Sequence, residues 1–255
     1  GKFDPLAVEP KWMLLSYHKT ACASSSRSGF DPQNAFDESI KSAWSASSGN
    51  SGEWLSVDLG KEYDVEAVQV NFADCFTKKK RAPMKEYGGT FTQERYIEEE
   101  LVRYEYRIEY SSNGSDWAHY GEIQNTVFPH KLIPCHAKAR YIRIVFASAP
   151  YGQNFSISGL RVFGLDNNKK PSAVSGEKAE RTSATEAKLS WNSQNDAMGY
   201  CIRLGIAPDK LYNSILLYGQ NDYTVTFLNK ETEKYYFAVD SFNESGITKG
   251  SINEF

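Results

Sequence analysis

The sequence predicts an all-β protein built as two antiparallel β-sandwiches in tandem. Three observations predict it. Apolar and polar residues alternate through most of the chain, each alternating run closes in a cluster of Gly, Ser, Asn or Asp, and the rhythm breaks at a polar segment near residue 168. At 255 residues the chain has the length of one or two domains.

The first runs are Trp54 to Leu59 and Val65 to Phe72, followed by Tyr104 to Tyr110. Period-two patterning of this kind buries one face of a strand and wets the other. Asn113-Gly114-Ser115-Asp116 has turn chemistry and leads to Trp117. Arg140 to Phe146 and Gly159 to Phe163 complete the first set. Asp166-Asn167-Asn168-Lys169-Lys170-Pro171 is polar and aperiodic, which marks a linker. Beyond it, Ala187 to Trp191, Gly199 to Leu204 and Tyr235 to Val239 alternate again, ending at the turn Asn243-Glu244-Ser245-Gly246. Strands at that spacing suit one small sandwich of about 85 residues.

Residues 73–103 break the rhythm. A basic run, Lys78 to Arg81, gives way to Gly88-Gly89 and then to Glu98-Glu99-Glu100. The propensities of Thr92 to Val102 allow one or two helical turns, with Tyr96, Ile97, Leu101 and Val102 at helical spacing. Insertions this long in compact domains usually serve a function or move.

Composition narrows the function classes. Lys plus Arg number 29 against 32 Asp plus Glu, a net charge of −3, so no electrostatic argument favours nucleic acid or an anionic membrane surface. With 40% hydrophobic and 24% charged residues the chain is not intrinsically disordered. No apolar run approaches the roughly 18 residues of a membrane span, so no membrane insertion is expected. The four cysteines form no CxxC pair and the four histidines no HExxH motif, which argues against a zinc or thiol enzyme. Asp74 with Glu98 to Glu100 supplies carboxylates, but consecutive glutamates point apart and read as a solvated charge run rather than a facing pair for glycoside hydrolysis. The chain is expected to be non-catalytic. The opening GKFDPLAVEP lacks a signal-peptide core, as expected of a piece taken from within a longer secreted chain.

Five motifs in register carry a family resemblance: Asn34-Ala35-Phe36-Asp37 with Trp44; Glu53 to Gly60; Tyr106 to Ser111 with Gly114 and Trp117; Ala139 to Ile144; and Ile157 to Gly164. Together they resemble the discoidin, or coagulation factor V/VIII type C, domain, whose carbohydrate-binding members form carbohydrate-binding module family 32. Residues 171–255, with Trp191 and the stretch Leu228, Tyr235, Phe237 and Val239, resemble a fibronectin type III domain. Residues 1–17, through Trp12 to Tyr17, resemble the segment that follows the catalytic propeller of some bacterial family 43 glycoside hydrolases. The implied fold is a discoidin-like jelly-roll β-sandwich over 18–166, with its insertion at 73–103, followed by an immunoglobulin-like fibronectin type III β-sandwich over 171–255.

The resemblance implies a ligand site at one end of the first sandwich, on loops 24–32, 45–52, 73–103 and 149–155. Sugar faces stack on aromatic rings while planar polar groups bind their hydroxyls. Phe30, Phe76, Tyr87, Tyr151 and Phe155 are candidates for stacking; Arg27, Asn50, Asp74, Arg81, Gln153 and Asn154 for hydrogen bonding. Tyr151 leads, because Pro150 and Gly152 would fix and expose the loop tip. The competing reading of each aromatic is that it packs its own loop. Trp44, Trp54, Trp117 and Trp191 sit in strand-like motifs and are assigned to the core. No cofactor is required. The family's structural calcium would fall on Asp37 and Ser42, whose oxygens suit a hard cation, but Glu38 replaces the usual glycine and Gly159 the usual ligand glutamate. The function implied is a carbohydrate-binding accessory region of a larger glycoside hydrolase, secreted, periplasmic or at the cell surface. Its partners would be a polysaccharide or glycan and the upstream catalytic domain of the same chain. The alternative is a structural or protein-interaction module that packs on the catalytic domain and binds no glycan.

Overall fold

A computed structural model describes residues 11–73, 103–126 and 130–255. Their regular elements are β-strands and two short 3-10 turns, with no α-helix among the described residues. None of them forms a helix long and apolar enough to cross a membrane. The described residues divide into two compact units, 14–164 and 165–255 together with 11–13.

The first fold runs β1 (Met13–Leu14), β2 (Thr20–Ala23), β3 (Trp44–Ser45), β4 (Trp54–Phe72), β5 (Tyr104–Ser111), β6 (Ala118–His119), β7 (Gln124–Thr126), β8 (His130–Ser148) and β9 (Ser156–Leu165). Strand order is β1-β9-β4-β8-β5-β6, with β2 also on β4, β3 on β9 and β7 on β5. The alternating runs 54–59 and 65–72 prove to be halves of one 19-residue strand, paired antiparallel with the equally long β8. The ladder breaks register between Asp58 and Tyr63, where Gly60 sits at φ +90°, and again between Val65 and Ala67. Bulges of this kind bend and twist a strand, so both halves of β4 wrap one core. The second break also goes with a change of parity along β4. The inward residues are Leu55, Val57, Leu59, Tyr63, Val65 and Ala67, then Val68, Val70 and Phe72. Between Val65 and Ala67 two steps on β4 face three on β8, from Ala137 to Pro134, so the extra residue lies on β8 and the inward positions of β4 change from odd to even just beyond it. Trp44, Tyr106, Ile108, Ile142, Ile144, Phe146, Ile157 and Leu160 fill the same core.

Trp44 and Trp191 are buried as expected, but Trp54 and Trp117 are not core residues. Trp54 precedes the inward Leu55 and so takes the outer face of β4. Trp117 lies under the guanidinium of Arg143, 4.0 Å from its ring centre.

In the second unit β10 (Ser175–Arg181), β11 (Ala187–Asn192) and β14 (Asp222–Val225) form one sheet. The other sheet holds β12 (Gly199–Gly205), β13 (Asn213–Tyr218), β15 (Tyr236–Asn243), β16 (Gly246–Thr248) and β17 (Asn253–Glu254). Leu189, Trp191 and Val225 of the first sheet pack with Tyr200, Ile202, Leu204, Phe237 and Val239 of the second. On the far face of the second sheet Asp240, 2% exposed, accepts two hydrogen bonds from Arg203 at 2.7 and 2.9 Å. Lys249 (3.2 Å) and the Gly250 N–H (2.9 Å) complete its shell.

Candidate functional site

Loops 24–32, 45–52 and 149–155 are laced into one end of the first unit. The Arg27 N–H donates to the Ser45 carbonyl (2.9 Å), the Ser45 N–H to that of Phe30 (3.2 Å), and the Ala46 N–H to that of Phe155 (2.8 Å). The Trp44 indole N–H donates to the Ser25 carbonyl and to the Ser26 hydroxyl, both at 3.1 Å. A Cβ on Gly49 would stand 2.4 Å from the Gln153 carbonyl oxygen, so only glycine lets loop 45–52 lie on loop 149–155.

Glu53, just before β4, ties the first two loops. Its carboxylate accepts hydroxyl hydrogen bonds from Ser24, from Ser25 (2.8 and 2.9 Å) and from Ser48 (2.7 Å). Burial would raise its pKa, but the bonds from Ser24, Ser48 and Ser25 outweigh that and hold the carboxyl below the usual range. A depressed folded-state pKa contributes stability above the unfolded value, lost as pH falls through the folded one. Acid melting curves of the native protein should therefore show a fall below about pH 4.5 that Glu53→Gln reduces. An identical acid limb in the variant would contradict the role given to Glu53.

The candidate site residues divide sharply. Arg27 and Asn50 are exposed and Phe30 is half-buried. Pro150–Gly152 forms a 3-10 turn, so position 151 lies on a defined backbone turn, while the Tyr151 side chain lies outside the described residues. Asp74, Phe76, Arg81 and Tyr87 also lie outside them, with the rest of 74–102.

Gln153, Asn154 and Phe155 require a correction. They are 1%, 2% and 1% exposed and present no surface to a ligand. Loop 45–52 covers them from outside. Phe155 stacks on Phe146, centroids 4.4 Å apart, and the Asn154 amide donates to the Ala46 carbonyl (2.9 Å). The Gln153 amide donates to the Tyr104 hydroxyl (3.3 Å). These three residues brace the loops. Sequence reasoning missed Glu53 as a tie. Its signal was the serine-rich sequence of both flanking loops, Ser24-Ser25-Ser26 and Ser47-Ser48, converging on one acid.

At the Asp37 loop one carboxylate oxygen accepts the Ser39 N–H (2.8 Å) and the other the Ser42 hydroxyl (2.6 Å). Glu38 adopts φ +59°, a conformation glycine takes without strain, and its carboxylate pairs with Arg161 at 2.9 Å. No group of three or more His, Cys, Asp or Glu positioned for a metal occurs among the described residues. One carboxylate, already holding two donors, fits a turn better than a divalent cation.

Comparison with known families picks out a stretch that includes two of these three loops. Residues 20–93 match the family model of the F5/8 type C domain. The F5/8 type C match takes in β2, loops 24–32 and 45–52, Glu53 and the whole of β4. No curated protein matches the chain. Among solved structures, the chain is similar to chitosan-binding module 1 of a chitosanase/glucanase from Paenibacillus sp. IK-5: 21% identity, 60% of this chain and 99% of that one, TM-score 0.46. It is similar to the family 32 carbohydrate-binding module of C. perfringens NanJ in complex with galactose: 18% identity, 60% and 98% covered, TM-score 0.45. A third is the family 32 module of AlyQ in complex with 4,5-unsaturated mannuronic acid: 20% identity, 59% and 98% covered, TM-score 0.42.

Proposed function

We propose that the 14–164 unit is a non-catalytic carbohydrate-binding module. It belongs, on this reading, to a larger secreted glycoside hydrolase that it targets to a polysaccharide, with the family 43-like catalytic domain upstream. The supporting observation is the bracing of three loops into one surface, two of them inside the F5/8 type C match, with Arg27 and Asn50 exposed beside Phe30. A preorganised surface loses little entropy on binding, and a guanidinium, an amide and a ring are the groups that hydroxyl-rich sugars need. The second unit acts as a fibronectin type III spacer. In support, the Tyr235 hydroxyl accepts the Asn229 N–H (2.7 Å), the upstream backbone bond of a tyrosine corner, and Trp191 packs on Tyr200.

Titration calorimetry of the intact chain against a broad glycan panel tests this. A ligand should bind with a dissociation constant near a millimolar, about −4 kcal/mol, and Tyr151→Ala should weaken it about tenfold. Binding unchanged in Tyr151→Ala moves the contact to Phe30 and Arg27. Failure to bind any glycan favours the packing-module alternative. The Asp37 loop is satisfied by its own residues, so a chelator should alter neither the binding nor the melting temperature. A drop in either would return a cation to Asp37 and Ser42.

A further inference from the structure

The outer face of the β4-β8-β5 ladder carries a second feature, which adjoins the loop end at Ser51-Gly52. Register places Trp54 beside Val145 and Val145 beside Arg107, while Tyr106 pairs with Gln124, which brings Ile123 up to Arg107. Ile123 is 59% exposed. Arg107, Ile123, Val145, Ala147 and the rim Ser51-Gly52 line a shallow cleft of about 140 Å³. One row along, Glu109 is 5% exposed and bonds the Nε of both Arg107 and Arg143. Two guanidiniums thus share one carboxylate, while Glu105, the preceding outward residue of β5, is held by the Asn125 amide (3.0 Å) and the Ser148 hydroxyl (3.2 Å). Glu109 and the Trp117 ring hold these guanidiniums in place, while the side chain of Arg107 remains 48% exposed at the cleft.

We propose that this cleft is a second glycan contact, selective for a sugar that carries an anionic group, a carboxylate or a sulfate. Two strand spacings, about 10 Å, separate Trp54 from Arg107, the span of a disaccharide. One ring rests against Trp54 and Val145 while the anionic group of the next meets the outer nitrogens of Arg107, a charge-assisted bond with fork geometry. Ile123 and Ala147 bound the apolar side of the sugar. This inference rests on reading the unit as glycan-binding.

The test titrates the intact chain with tetragalacturonate, with the neutral galactose tetramer and with a sulfated galactose tetramer, following backbone amide shifts. Tetragalacturonate, the sulfated tetramer or both should bind better than the neutral tetramer, shift Arg107, Ile123, Val145 and Ala147, and weaken as salt rises. Which anionic tetramer prevails identifies carboxylate or sulfate as the group read. Arg107→Gln should lower that affinity about tenfold or more, with neutral-glycan binding at the loop end retained. Ile123→Glu, at an exposed position with little folding cost, should do the same by like-charge repulsion. Tyr151→Ala should leave it intact. Equal binding of charged and neutral tetramers, or native affinity in both cleft variants, would overturn the inference. An acidic Asp hexapeptide that shifts the same amides when neither anionic tetramer does would overturn it in favour of a peptide site. A chain that binds neutral glycans but neither anionic tetramer defeats this inference alone, whereas one that binds no glycan defeats the module reading itself.

Discussion

Phe155→Ala is expected to loosen the first unit rather than to remove a sugar contact. Phe155 is 1% exposed and stacked on Phe146, which in turn stacks on Trp44 at 6.0 Å. Truncating a buried phenylalanine deletes its transfer energy and leaves a cavity, about 3–5 kcal/mol together. For a unit of this size that lowers the melting temperature by about 10 °C. Arg27→Ala, at an exposed position, should shift it by less than about 2 °C. Calorimetric melting separates the two. A Phe155→Ala protein that melts like the native one yet loses glycan would place that ring back on the binding surface.

Asp240→Ala should have the largest effect on the second unit. The substitution removes all the partners that Arg203 has through Asp240 and leaves a guanidinium only 10% exposed. Arg203 Nη1 already lacks a hydrogen-bond partner, so the loss falls on a group with no spare contact. Breaking a buried pair from one side costs about 3–5 kcal/mol. In a unit of roughly 90 residues that is a fall of at least about 12 °C. An Arg203→Met, Asp240→Leu double variant should recover most of it, because no charge is then left buried. A melting change under about 3 °C in Asp240→Ala would contradict the account.

The strands were legible because their patterning is simple. Tyr104 to Tyr110 and Gly199 to Leu204 alternate cleanly, and both form strands. The β4 parity shift was not legible, because Ala67-Val68 reads as an ordinary apolar pair until the partner strand shows the bulge. Trp54 and Trp117 misled for a related reason. A tryptophan in a strand motif reads as core, yet its face depends on register with neighbours far along the chain. The candidate site was legible as a set of loops but not residue by residue. Gln153-Asn154-Phe155 has the composition of a sugar-binding tip, and only the close approach of loop 45–52 at Gly49 turns it inward. Arg27 and Asn50 are exposed, with no loop of the described residues burying them. Glu53 escaped notice because its three hydroxyl donors lie 29, 28 and 5 residues away in sequence.

Backbone amide shift mapping during titration with a glycan drawn from the panel tests the central claim most directly. The account predicts that saturable shifts gather on residues 24–32, 45–52 and 149–155, with Arg27 and Asn50 among the largest and the second unit silent. Shifts confined to other surfaces, or none with any glycan, would contradict it.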